Sequence, residues 1–321
     1  MIKVGILGAD SPDGGELLRI LIHHPEVDLR SLYSPSLLGR KVSSFHHGFI
    51  GEQDLFFTDK IDPSSLDALF ILDDSHLGKQ IVERIDNWPE LRIINLSKDR
   101  FENWTQYEFD YGLSEINRKT LVRGSKNAVI PSSPASVALI ALYPLASHLL
   151  LTSDIQIDVD LPADSLDEVD KKLCTREIEE RIQSVQRSFD QNVEVNISSW
   201  SANRAIRVRI GLKCPLGIDE ISKVYQSVYD DHNFTFISNE GNNVAEVEGT
   251  QKCIISFSKP GAGLLEIEAV ADGRLRGGAG DAVHVLNLFF ALHEKIGLSL
   301  KPSAFGNKND NSNSQNTSWF A

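Results

Sequence analysis

The sequence has few cysteines, and they show no pattern that binds a metal or forms a disulfide framework. Among its 321 residues only Cys174, Cys214 and Cys253 are cysteines, and they are widely spaced, with no CxxC pair and no Cys/His cluster. Disulfide frameworks and zinc sites need paired or closely spaced cysteines. We therefore expect three small core residues and no bound metal.

Positive charge and long apolar runs are also scarce. The chain has 32 basic and 45 acidic side chains, a formal net charge of −13, and no basic run. Nucleic-acid binding needs clustered Lys and Arg to displace counterions, so we expect no nucleic-acid partner. The longest apolar stretch, residues 137–151, is interrupted by Pro144 and polar residues. It is shorter than the ~20 apolar residues that span a bilayer, so we expect no membrane partner.

The N-terminus shows no signal peptide. Met1 leads directly into the strand-like segment IKVGIL at residues 2–7, without a basic region, an apolar region and a small-residue cleavage site in succession. We therefore expect a cytoplasmic protein.

The alternation of apolar segments predicts an α/β fold. Single cores stop growing at about 250–300 residues, so we expect two domains. The first part alternates strands and helices, which predicts a Rossmann-type, doubly wound parallel sheet. Its predicted strands are residues 2–7, 27–33, 67–72 and 92–96, and its predicted helices are 16–24 and 77–85.

After Pro131 the pattern changes to that of an α+β domain with a mixed sheet. Predicted helices cover 135–150 and 219–230, and a capping box at Ser165–Glu168 predicts a further helix to about residue 189. We place a Rossmann-type domain at 1–145 and 276–305, the latter with a helix at 279–296, and an α+β domain at 146–275; the family resemblance described below implies that the first binds the dinucleotide and that the second has the substrate and dimer contacts. The polar tail at 306–321 is predicted to be disordered because it has too few apolar residues to repay its ordering entropy.

A glycine turn between the first strand and the first helix is the candidate cofactor site. The context favours a dinucleotide-phosphate turn, although a purely structural turn is an equal alternative. The second strand ends without the acidic residue that accepts the ribose 2′-hydroxyl of NAD, and Arg40 and Lys41 follow shortly after, which favours NADP. The candidate contacts in this region are Gly8, Ser11, Gly14, Ser34 and Ser36.

Four motifs resemble those of the N-acetyl-gamma-glutamyl-phosphate reductases of arginine biosynthesis. They are GGEL at 14–17, HPEV at 24–27, YGLSEINR at 111–118, where the family has YGLPELNR, and LRGGAGDAVHVLNL at 275–288. The resemblance implies a Rossmann domain that binds NADP, a mixed-sheet domain with substrate and dimer contacts, and a terminal helix whose Asn287 lies beside the cofactor. It also implies reduction of an acyl phosphate to a semialdehyde through a cysteine thioester, assisted by a histidine.

The reactive positions of the family are replaced in this chain. Ser133 stands where the family has its nucleophilic cysteine, and the segment KLCTREI sets Cys174 against the catalytic histidine. A serine hydroxyl needs an adjacent base to become a nucleophile. One might suppose that Cys174 takes over as the nucleophile, but its place in a predicted helix favours a half-buried residue. A Gly/Ser-rich substrate loop before this segment is deleted.

The cofactor turn also departs from the family. Ser11 replaces its middle glycine, and Asp10, Asp13 and Asp281 bring carboxylates to positions near the expected phosphates, which disfavours NADP binding. His46 and His47 are predicted to be surface residues.

Two functions remain open. One is a non-catalytic relative that forms a homo-oligomer or a hetero-oligomer with an active family member. The other is an active, divergent NADP-dependent oxidoreductase.

Overall fold

The computed structural model describes residues 1–52, 54–73, 76–98, 107–261 and 263–302. These form two compact units, Met1–Pro131 with Gly278–Ser299, and Ser132–Gly277 with the chain from Leu300. The boundary therefore differs from the predicted one at 145/146, since the helix that begins at Ser133 belongs to the second unit. The predicted disordered tail lies outside the described residues.

The first unit contains, within the described residues, a seven-stranded sheet with the order β3-β2-β1-β4-β5-β7-β6. All its neighbouring strands are parallel, which is the doubly wound arrangement. Its strands are β1 (Ile2–Leu7), β2 (Val27–Tyr33), β3 (Phe57–Thr58), β4 (Ala68–Ile71), β5 (Arg92–Asn95), β6 (Asp110–Tyr111) and β7 (Asn127–Val129). Its helices are α1 (Pro12–Leu21), α2 (His76–Glu83), α3 (Ser114–Val122) and α7 (Ala279–Phe289).

The second unit contains a six-stranded mixed sheet with the order β11-β12-β13-β10-β8-β9. Its strands are β8 (Ile155–Pro162), β9 (Val193–Trp200), β10 (Ala205–Lys213), β11 (Thr235–Ile237), β12 (Cys253–Gly261) and β13 (Leu264–Asp272). Its helices are α4 (Ser133–Ser147), α5 (Lys171–Val185) and α6 (Ile218–Tyr229). The α/β fold with a second mixed sheet is thus confirmed.

Helix α4 forms the centre of the second unit. It packs against α5, α6, β10 and β13, and most of its side chains are buried. Pro144 lies inside it and has no N–H to donate to the carbonyl of Ile140. The Tyr229 hydroxyl of α6 donates to that carbonyl at 2.5 Å and so replaces the lost bond.

Several helix boundaries differ from the prediction by a few residues, α1 beginning at Pro12 rather than at 16, and two differences have a clear local cause. The Ser165–Glu168 capping box is wrong: residues Ala163–Glu168 form a 3-10 helix, and α5 begins after Asp170, whose carboxylate accepts from the N–H groups of Lys172 and Leu173. The last helix ends at Phe289 rather than at 296 because Ala291 adopts a φ of +52°.

No described segment meets the length and hydropathy that a membrane-crossing helix needs. Among the described residues no three His, Cys, Asp or Glu side chains are grouped to hold a metal ion. All three cysteines are free and buried.

Candidate functional site

The glycine turn follows β1 and has a backbone that only glycine fits. Gly8 has a φ of +88°, in the left-handed region. A Cβ on Gly14 would lie 2.7 Å from the carbonyl oxygen of Ala9, so the helix and the turn approach each other too closely for a side chain. This is the close approach that dinucleotide-binding turns require of their glycines. The turn therefore has the glycine geometry of a dinucleotide-binding turn.

Ser11, at the position of the family's middle glycine, forms two hydrogen bonds within the turn. It is the N-cap of α1, and its hydroxyl accepts from the Gly14 N–H at 3.0 Å and donates to the Gly8 carbonyl at 2.8 Å. N-cap hydroxyls satisfy helix N–H groups that otherwise bind anions. Ser11 thus supports the turn and occupies one of the donors that a phosphate would use.

Asp10 and two serines meet where β1 and β2 end. The buried Ser34 hydroxyl lies 3.2 Å from that of Ser36, and Ser36 donates to the Asp10 carboxylate at 3.5 Å. Lys41 points elsewhere, since its ammonium pairs with Asp54 at 2.9 Å. The structure therefore brings the candidates Ser34 and Ser36 together with a carboxylate from the turn.

His46 is half-buried and packs on the turn, so its prediction as a surface residue holds only in part. Its Nε2 lies 2.9 Å from the Ala9 carbonyl oxygen, which only accepts, so Nε2 carries the proton. A Cβ on Gly15 would be 3.1 Å from the His46 ring. His47, in contrast, is exposed. This contact was not predictable from the sequence because His46 lies beyond the second strand, far from the turn along the chain.

Asn287 is buried and its polar atoms are bonded within the first unit, so its cofactor contact stays a prediction. Its side chain is 0% exposed, its Oδ1 accepts from His24 Nε2 at 3.0 Å, and its amide group donates to the carbonyls of Glu294 and Ile296. Burial lowers the pKa of His24 and so favours its neutral form. Asp281 is likewise buried, in the first turn of α7.

A second candidate site lies in the second unit, at the start of α4. The Ser133 hydroxyl donates to the carbonyl of Gly273 at 2.5 Å. Gly277, with a φ of +67°, passes so close that a Cβ on it would lie 2.4 Å from the Ser133 Cα. The backbone at position 133 is therefore fixed, and its hydroxyl serves as a tether to the segment after β13.

Helix α5 brings Glu177 and Cys174 to the same place. The Ser132 hydroxyl donates to the Glu177 carboxylate at 2.8 Å, and Cys174 also has a hydrogen bond with Ser132. Cys174 is 1% exposed. Burial, with the charge of Glu177, raises the pKa of the Cys174 thiol to about 12. Cys174 reaches Ser132 through the packing of α4 on α5, and its complete burial differs from the half-buried position that the sequence favoured.

The chemistry available at this site is limited. The second unit contains two histidines, His148 and His232. His148 caps the opposite end of α4, where its Nδ1 bonds to the Pro144 carbonyl, and His232 packs on Tyr229. The carbonyl that accepts from Ser133 has no affinity for a proton, so it does not activate the hydroxyl. Between β8 and α5 the chain holds the 3-10 helix in place of the family's substrate loop.

A buried polar chain in the first unit was missed by sequence reasoning. The Ser114 hydroxyl lies 3.0 Å from His284 Nδ1, and His284 Nε2 lies 2.8 Å from the Glu294 carboxylate, which also pairs with Arg118. The order hydroxyl, imidazole, carboxylate is that of a hydrolytic triad. Ser114 is 3% exposed, however, so the chain ties α3 to α7 rather than serving a substrate.

The fold is shared with solved semialdehyde dehydrogenases. Aspartate semialdehyde dehydrogenase II of Vibrio cholerae superposes with a TM-score of 0.69 at 13% identity, over 91% of this chain and 98% of its own. The Candida albicans aspartate semialdehyde dehydrogenase, solved with NADP, gives 0.60 at 11% identity, over 92% and 99%. At these identities the likeness concerns the fold.

Sequence comparison gives the class and then the family. Residues 3–123 match the model of the semialdehyde dehydrogenase NAD-binding domain, so the first unit is of the semialdehyde dehydrogenase class, whose members bind NAD(P). N-acetyl-gamma-glutamyl-phosphate reductases of Phocaeicola vulgatus and Parabacteroides distasonis are 33% and 32% identical, each over 95% of this chain and 100% of their own. The chain belongs to the N-acetyl-gamma-glutamyl-phosphate reductase family, as the motifs predicted.

Proposed function

We propose that this chain is a non-catalytic member of its family, which does not reduce an acyl phosphate. The observation that carries the proposal is the hydrogen bond from Ser133 to the Gly273 carbonyl at 2.5 Å. A nucleophilic hydroxyl needs a neighbouring base that accepts its proton. Here the hydroxyl bonds to a peptide oxygen instead, and so remains a neutral alcohol.

The neighbouring thiol does not replace the missing nucleophile. The thiolate is the reactive form of cysteine, and burial raises the pKa of Cys174 to about 12, so almost none is ionised at neutral pH. A residue that is 1% exposed also offers no path for an acyl phosphate. Cys174 further stands in the place of the family's histidine, so two parts of one mechanism are lost together.

A turnover assay with a restored nucleophile tests the proposal. Purified wild-type protein and the Ser133→Cys variant are each given N-acetyl-gamma-glutamyl phosphate with NADPH or NADH, and the reverse reaction is followed with the semialdehyde, phosphate and the oxidised dinucleotide. We expect neither to exceed the enzyme-free rate, because loss of one member of a catalytic unit already costs several powers of ten in rate. The Phocaeicola vulgatus relative is the positive control.

Two outcomes would contradict the proposal in different ways. Turnover by the wild type would show that Ser133 or another group acts as a nucleophile, and would favour the alternative of a divergent NADP-dependent oxidoreductase. Turnover by Ser133→Cys alone would show that the rest of the site is competent, and that inactivity depends on a single residue.

We also propose that the chain self-associates through the second sheet, with pairing to an active family member as the alternative. One face of this sheet packs on α4 through Val208 and Ile210 of β10. The other carries Arg207 and Arg209, which pair with the buried Asp160 of β8. A half-buried charged face of this kind suits a polar interface between copies. A cytoplasmic location remains a prediction.

A further inference from the structure

The crevice beside the glycine turn contains a carboxylate that the second strand lacks. In doubly wound folds the adenosine ribose lies between the carboxyl ends of the first two strands, and an acidic residue there accepts the 2′-hydroxyl of NAD. In this chain β2 ends in Tyr33 and Ser34, with no acid. Asp10 supplies one from the turn itself, since its carboxylate is 3.5 Å from the Ser36 hydroxyl, which lies 3.2 Å from that of Ser34.

Of the two basic residues that follow the second strand, Arg40 and Lys41, one is already paired with an acid. Within the described chain Asp10 forms no ion pair, and its contact is with the neutral Ser36. Lys41 is neutralised by Asp54 at 2.9 Å. Arg40 is exposed and is the remaining basic residue of this stretch. Of the two residues that favoured NADP in the sequence, only the exposed Arg40 is therefore available for a 2′-phosphate.

We propose that Asp10 is the specificity-determining residue of the cofactor crevice, and that this chain takes NAD(H) in preference to NADP(H). An ionised carboxylate accepts hydrogen bonds from the ribose 2′- and 3′-hydroxyls. Both hydroxyls are free in NAD, whereas the 2′-hydroxyl is phosphorylated in NADP. The same carboxylate repels the 2′-phosphate, which carries one to two negative charges. The inference concerns binding alone and does not rest on the absence of catalysis.

Direct binding measurements test this inference. The purified full chain is titrated with NADH and NADPH by nicotinamide fluorescence, and with ADP-ribose and its 2′-phosphate by calorimetry, which removes the nicotinamide from the comparison. A like-charge contact of about 4 Å that is fully screened by water, with one to two charges on the phosphate, corresponds to about a tenfold difference in Kd, so we expect NADH to bind at least about tenfold more tightly than NADPH. High salt screens this repulsion and should narrow the ratio.

Three variants assign the effect to one side chain. Asp10→Asn should bring the two Kd values to within about twofold, because the charge is removed while the size is kept. Asp13→Asn, in the first turn of α1, should change both Kd values by the same factor, because both dinucleotides share the pyrophosphate. Arg40→Ala should leave the ratio unchanged. Circular dichroism of each variant establishes that it is folded.

Four results would overturn the inference. They are equal or tighter binding of NADPH by the wild type, no binding of either dinucleotide, a ratio that Asp10→Asn leaves unchanged in a folded protein, and a loss of NADPH binding in Arg40→Ala. If Asp10→Asn does not fold, the wild-type protein provides the test. A ratio of the NADPH and NADH Kd values that does not change with salt would contradict an electrostatic origin of the preference. The two proposals are tested separately. A failed Kd prediction does not change the conclusion about turnover, and observed turnover does not change the conclusion about the Kd ratio.

Discussion

At the scale of single residues, position 133 combines a replaced side chain with a fixed backbone. The hydroxyl of Ser133 bonds to Gly273, and its Cα is packed against Gly277. Sequence comparison with the family predicted the replacement at Ser133. The alignment of Cys174 with the family's histidine implied that it lies near position 133. The hydrogen bond to Ser132 and the complete burial of the thiol were not predicted, because they depend on how two helices pack.

Gly277→Ala should be far more destabilising than an alanine at another glycine of the same conformation. The new Cβ would lie 2.4 Å from the Ser133 Cα, and the φ of +67° adds strain of about 1–2 kcal/mol. We expect a loss of more than about 3 kcal/mol in the free energy of unfolding, since backbone must move. Denaturant titration measures it.

Gly241→Ala is the matched control for this prediction. Gly241 has a φ of +82° and nothing within 4 Å of the added Cβ, so only the strain of about 1–2 kcal/mol applies. Equal losses in the two variants would show that the close approach to Ser133 carries no energetic weight.

At the scale of elements, the sequence predicted which segments form helices and strands better than it predicted where the helices end. The unit β1-α1-β2 was predicted because its apolar runs are separated by a glycine turn. The end of α7 was predicted too late, because the chain reverses in a Schellman motif: Leu292 N–H donates to the Asn287 carbonyl and Ala291 N–H to that of Leu288. A glycine at this left-handed position would have indicated the end of the helix, but the residue here is Ala291, which does not.

The contact of α3 with α7 through Glu294 should make stability depend on acid pH. Burial alone would raise the pKa of Glu294, but the hydrogen bond and charge of His284 and the charge of Arg118 outweigh it and lower the pKa to about 2. The folded pKa is below the ordinary 4.5, so the stabilisation is complete above about pH 4.5 and is lost as the pH falls towards 2.

Glu294→Gln tests this dependence by denaturant titration over a range of pH. We expect the variant to be less stable by on the order of 2–3 kcal/mol at neutral pH and the difference to shrink between pH 4.5 and 2. Glu90→Gln, at an exposed position, is the control and should show no such convergence. A difference that stays constant with pH would contradict the role of the Glu294 charge.

At the scale of the whole molecule, each unit has its own sheet and core, as the composition and the change of pattern after Pro131 predicted. The boundary was placed too late because α4 is apolar on nearly all sides, and an apolar helix of this kind does not indicate which sheet it covers.

The charged face of the second sheet was also not foreseen, since Asp160 and its arginine partners lie 47 and 49 residues apart in sequence.

Light scattering in solution should give a mass near twice that of the chain. The chain mass is 35.6 kDa, so a dimer has 2 × 35.6 = 71.2 kDa. Arg207→Glu places a second carboxylate beside that of the buried Asp160 and should reduce the dimer fraction. Lys119→Glu, in the first unit, makes the same charge change and should not. A wild-type mass near 35.6 kDa at micromolar concentration would contradict self-association through this face.

The burial of all three cysteines has a consequence for oxidative chemistry. An enzyme that depends on an exposed thiolate is inactivated by peroxide and by alkylating reagents, because both attack the ionised sulfur. In this chain Cys174, Cys214 and Cys253 are each at most 1% exposed, and the position that would hold an attackable thiol is Ser133. Under oxidative stress the folded molecule therefore keeps its cysteines as thiols, under conditions in which a thiol-dependent enzyme loses its activity.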